Sequence, residues 1–227
     1  MPTRREVLLA AGMALSGQLL PRVARSQSYP VHDALGCVLQ RPLEELSSHL
    51  YGIASLRQGL IATTGDPAMD RALGRALVRL STIFGEQPGF GFIDDGGAPN
   101  AYASPQTQVQ GTWGTAMFGQ TMFHDLLDPY TDQGMAVLAV CAHEFGHIAQ
   151  FRAGVRDRLL RGQRTVKRME LHADLLSGYF LGYRKRIDGD ISVWAAGHAL
   201  YSIGDYAFNN PNHHGTPDER VAAAEYG

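Results

Sequence analysis

Between Asp132 and Phe151 the chain is apolar around nearly every helical turn, yet it carries His143-Glu144-Phe145-Gly146-His147 in the middle of that stretch. A helix that is apolar all round belongs in the centre of a globular core. Polar side chains placed there must find partners. At about 100° per residue, His143 and His147 project about 40° apart, so both imidazoles reach toward one point with Glu144 beside them. The fold therefore has to wrap a core around this helix and bring a counterpart to two neighbouring histidines.

An HExxH pattern on a helix is the arrangement by which two imidazoles bind zinc while the glutamate acts as general base toward a water activated by the metal. A catalytic zinc takes three protein ligands, so one more is needed. Glu170-Leu171-His172-Ala173-Asp174 opens a helical segment 23 residues after His147, and its two carboxylates share a face at spacing four. Glu170 is the candidate third ligand. Asp174 is the candidate partner for the second ring nitrogen of a ligating histidine. His172 projects about 200° from Glu170, and Cys141 about 200° from His143, so both point away from the ion. Cys141 is expected to pack in the apolar core.

The rest of the chain reads as a mainly helical α+β domain. Leu43 to Ile61, Asp66 to Phe84, Arg168 to Tyr183 and Ile191 to Phe208 carry helical patterns, the second opened by Asp66 as N-cap and Pro67. Thr216-Pro217-Asp218-Glu219 is a capping box for a short last helix. Gln87 to Thr121 changes to Gly, Pro, Asn, Ser and Thr with short aromatic runs, as short strands and turns require. His198, Trp194 and Tyr201 lie at helical spacing and are expected to face the core.

At the N-terminus, Thr3-Arg4-Arg5-Glu6-Val7-Leu8 precedes a short apolar stretch and then Arg22 and Arg25. Residues 1–26 thus resemble a twin-arginine export signal, which implies a periplasmic or secreted mature domain, 27–227. Two free thiols, Cys37 and Cys141, are expected rather than a disulfide. No apolar run approaches the roughly 18 residues of a membrane span. The chain carries a formal charge of -2. Without residues 1–26, which hold four Arg and one Glu, 16 basic face 21 acidic groups, about -5. That balance argues against nucleic-acid binding. Locally, Arg152 to Arg168 holds seven basic residues and one acid, Asp157; the plain reading is a solvated connection, the sharper one a weak contact with an anionic surface.

HEFGH followed by Glu170-x-x-Ala173-Asp174 resembles the gluzincin metallopeptidases, especially the catalytic domain shared by HtpX, BepA and the CAAX prenyl proteases. Pro99-Asn100-Ala101-Tyr102-Ala103 is similar to that family's Asn-Ala-Phe-Ala stretch. His214 to Arg220 resembles its late His-Pro-x-x-x-x-Arg element, with Gly215 in place of Pro. The resemblance implies a zincin-like fold. It also implies that Asn100, Ala101 and Tyr102 enter an exposed edge strand that pairs with substrate, and that His214, with His213 as the competing choice, stabilises the oxyanion.

Together these features predict an exported zinc endopeptidase acting on unfolded or flexible polypeptides. One Zn2+ would be held by His143, His147 and Glu170, with Glu144 as general base. The alternatives are a non-hydrolytic zinc-binding or chaperone-like envelope module and hydrolysis of a non-peptide amide. Asn209 to His214, polar and Pro-containing, is the candidate lid.

Overall fold

The computed structural model describes residues 34–35, 38–39, 60–96, 98–127, 133–189 and 191–227. Residues 1–26, read above as an export signal, Cys37 and residues 43–59 of the first expected helix lie outside them. Ile61, read as the end of that helix, is instead extended and bridges antiparallel to Phe92. Its apolar side chain thereby joins the core against the sheet.

Helix α1, Pro67–Phe84, starts where the sequence indicated: Asp66 Oδ1 accepts from the amides of Ala68 and Met69 at 2.7 and 3.3 Å, and Pro67 occupies the first turn. Gly85, at φ 69°, ends it in a left-handed conformation that favours glycine. Three strands follow: β3, Gly89–Ile93; β4, Ala101–Ser104; and β5, Thr115–Gly119. Two short strands, β1 (Ala34–Leu35) and β2 (Val38–Leu39), extend the sheet to the order β1-β2-β4-β5-β3. It is mixed: β3 runs parallel and β4 antiparallel to β5, while β2 lies parallel to β4.

The sheet corrects one expectation. The strand after Asn100 is interior, because Val38 pairs with Ala103 on its outer side while β5 occupies the other. A row of unpaired amides and carbonyls on an exposed edge is prone to nonspecific pairing; here Val38 pairs with one position of that row, Ala103.

Helix α2, Gln120–Leu126, is capped from a distance by Asp95, whose oxygens accept from Thr121 and Met122 amides at 3.1 Å each. Helix α3, Gln133–Arg152, is the buried axis that its composition predicts, with Met135 to His143 almost wholly enclosed. It packs against α1, β4 and β5, and against helices α5 (Lys167–Ile187) and α6 (Trp194–Ser202). The five-residue α4, Arg156–Leu160, connects α3 to α5, and α7, Pro217–Tyr226, lies along α5 and α6. Its capping box is formed as expected, Thr216 and Glu219 each bonding the other's amide.

Helix α6 is shorter than its pattern suggested, and its faces are reversed. Ala195, Ala196, Ala199 and Leu200 are buried, whereas Trp194 is 66% and Tyr201 45% exposed and His198 stacks on Trp194 at the surface. Small alanines let α6 lie close to its neighbours, so the large rings are left outside. The molecule is α-rich with a small mixed sheet, and no helix among the described residues is long and apolar enough to span a membrane.

Candidate metal centre

His143 and His147 sit one turn apart on α3, and Glu170 faces them from the first turn of α5. The crossing of the two helices is close because small residues meet there. A Cβ on Gly146 would lie 3.3 Å from the backbone of Ala173, so motif glycine and motif alanine together set the helix spacing. Ser177 adds a tie, its hydroxyl donating to the Ala139 carbonyl at 2.8 Å.

At this crossing, His143 Nε2 lies 3.2 Å from Glu170 Oε2 and 3.1 Å from His147 Nε2, while His147 Nε2 is 3.4 Å from the same carboxylate oxygen. All three side chains are fully buried. Their ligand atoms fall within 4.8 Å of one another, so the triad could hold a metal ion. Two imidazole nitrogens and a carboxylate oxygen are a donor set that a divalent cation satisfies.

Beyond the triad, Asp174 stands where the sequence placed it. Its Oδ1 is 2.7 Å from His143 Nδ1, and Arg220, reaching over from α7, donates Nη2 to Oδ1 at 2.8 Å and Nε to Oδ2 at 2.9 Å. Burial would raise the Asp174 carboxyl, but the Arg220 guanidinium and then His143 hold it below its usual range. An ionised carboxylate only accepts, so His143 must carry its hydrogen on Nδ1 and turn Nε2 toward Glu170. On the other histidine, His147 Nδ1 lies 3.0 Å from Gln150 Oε1.

The electrostatics follow from burial and these pairings. Burial works against a charged His143, yet the charge and hydrogen bond of Asp174 and the bond to Glu170 push it up to about 9. Burial would likewise raise Glu170, but His147, His143 and, by charge, His214 keep it well below the ordinary carboxylate range. Glu144 is pushed up to about 7 by burial, against the pull of the two histidines. Its Oε2 is buried without a hydrogen-bond partner among the described residues. Cys141 is a buried free thiol. Burial, followed by the charge of Glu144, drives it well above its usual range.

His214 and His213 are held by one carboxylate. Asp205 accepts from His213 Nδ1 at 2.5 Å and from the His214 amide at 2.9 Å, with His214 Nδ1 at 3.3 Å. His213 is the more buried ring, with its Nε2 unpartnered among the described residues. The segment read as a lid is pinned: Pro211 O accepts from Val166 N at the start of α5, and Asn210 O accepts from His213 N.

Asn100 Nδ2 donates to the Tyr102 hydroxyl at 3.0 Å, and its carbonyl accepts from Gly119 N, so Asn100 shapes the entry to β4. In the basic run, Arg152 pairs with Glu86 and lies over the Trp113 ring, while Arg158, Arg161 and Arg164 are exposed. Sequence reading missed Gln150 and Asp205. A lone Gln in a helix or Asp in a loop has no pattern to mark it, and both gain meaning only from long-range partners.

Compared with models of protein families, with curated proteins and with solved structures, the chain matches nothing.

Proposed function

We propose that this protein is a zinc-dependent endopeptidase of the gluzincin type, with a zincin-like fold, exported and acting on unfolded or flexible polypeptide segments. The observation that carries the reading is the buried convergence of His143, His147 and Glu170 from two helices, with Glu144 next to the first ligand and one of its oxygens unpartnered. A site built only to store metal has no use for that carboxylate.

Zinc held by the three ligands would supply Lewis-acid polarisation of the scissile carbonyl and make an attacking water more acidic. Glu144 accepts the proton of that water through its unpartnered oxygen and passes it to the departing amine. Asp174, locked by Arg220, keeps the His143 ring turned toward the ion. His214, held by Asp205 at its backbone amide and at Nδ1 and close enough to act on Glu170 by charge, donates to the oxygen on which negative charge develops.

The test is incubation of residues 27–227 with a mixed, unfolded peptide library, products being read by mass spectrometry, with Glu144→Gln alongside. Cleavage by the wild type and a loss of roughly 10²-fold or more in the variant, with zinc content equal in both, is the expected result. Zinc bound by both proteins with no cleavage by either would replace the endopeptidase with the non-hydrolytic module.

A further inference from the structure

Gln150 is 1% exposed, three residues after His147 on α3, and its side chain fills the gap between the two ligand-bearing helices. Its Oε1 lies 3.0 Å from His147 Nδ1, and its Nε2 lies 2.8 Å from the carbonyl oxygen of Met169 and 3.1 Å from His172 Nδ1. Met169 immediately precedes Glu170. One amide thus touches one ligand directly and the backbone beside another.

The orientation of that amide is decidable from chemistry. A backbone carbonyl only accepts, so the Gln150 atom facing Met169 must be the NH2 group; the reversed amide would set two acceptor oxygens 2.8 Å apart. With NH2 toward Met169, the oxygen faces His147, and an amide oxygen only accepts as well. His147 Nδ1 must then carry the hydrogen, and its Nε2 presents a lone pair toward Glu170 and His143. The second NH2 hydrogen is taken by His172 Nδ1, so both hydrogens of the Gln150 amide are used.

We propose that Gln150 is a positioning residue of the metal centre: the Met169 carbonyl fixes its amide, and the amide fixes His147 as the Nδ1–H tautomer that ligates through Nε2. Gln150 does for His147, as a neutral acceptor, what Asp174 does for His143 as a charged one. It also explains how Glu170 stays in register with α3, since the same side chain ties the residue before it. His172, unfit as a ligand by its direction, has its role here as the outer acceptor of this chain.

The proposal rests on the zinc reading above, and its test separates the two. Zinc affinity is measured by chelator competition for the wild type and for Gln150→Met, which keeps the length without the amide. The stability of each metal-free form is measured beside it. Gln150→Met is expected to bind zinc about 10- to 100-fold more weakly. Long-range 1H–15N spectra of the zinc-loaded wild type should show the His147 hydrogen on Nδ1, a readout that needs no variant to fold. A hydrogen on Nε2, or equal affinity in the wild type and Gln150→Met, overturns the role of Gln150 and leaves the zinc site standing. Lower stability without weaker zinc binding has the same meaning. Failure of the wild type to bind zinc overturns both readings.

Discussion

Asp174 uses both carboxylate oxygens on Arg220 and still accepts from His143, so one buried acid links helix α7 to a histidine of the candidate metal centre. Its charge is tolerable only because the guanidinium is there. Arg220→Leu would strand the carboxylate in the core, and a loss of about 3–5 kcal/mol in urea unfolding is expected, with weaker zinc binding. A stability within about 0.5 kcal/mol of the wild type would show that the pair is not what holds α7 in place. The same neighbourhood sets the sign of metal uptake with pH. His143 keeps a proton up to about 9 in the absence of metal, and a cation must displace it. Zinc affinity should therefore rise with pH through neutrality toward 9, with proton release at pH 7 seen as a dependence of the binding heat on the buffer's ionisation enthalpy.

Among the elements, α5 and α7 approach closely at Gly178. A Cβ on Gly178 would fall 1.8 Å from the Ala224 carbonyl oxygen, so the helices touch only because that position has no side chain. Gly178→Ala should wedge α7 outward at a cost of about 1–3 kcal/mol and draw Arg220 off Asp174, which thermal unfolding and zinc affinity would both report. The loop ahead of α7 makes a second prediction, from Asp205. Slight burial raises its carboxyl, but the His214 amide and the His213 ring outweigh that and hold it at about 2. A depressed carboxyl contributes stability that is fully present above the ordinary value near pH 4 and vanishes as pH falls through about 2. The denaturant midpoint should fall across that window in the wild type and more shallowly in Asp205→Asn; parallel slopes would mean that the clamp does not stabilise the fold.

For the whole molecule, the proposed metal centre lies within the buried core, so metal binding would be coupled to the fold. Chelation should leave a folded protein of lower melting temperature, recovered on adding zinc; at free zinc 100-fold above Kd the recovery amounts to about 2.7 kcal/mol. Much of this architecture could be read in advance. The α3 axis, the Asp66 cap, the Thr216 capping box, the shared face of His143 and His147 and the shared face of Glu170 and Asp174 all follow from local periodicity and spacing, because a helix converts sequence distance into angle directly. Other features could not be read that way. Alternating faces on α6 gave no sign of which one would be buried, and the alanine face won by packing closely against its neighbours. The stretch after Asn100 had every mark of a strand, but whether its edge stayed open depended on Val38, some sixty residues earlier in the chain. Gln150, Asp205 and Arg220 acquire their partners across helices and loops far apart in sequence. The sequence by itself determined the angular placement of His143 and His147 on one helix and of Glu170 and Asp174 on another; only the tertiary structure decided that they meet and what surrounds and orients them, since burial and hydrogen-bond partners are set by packing between segments that no local pattern encodes.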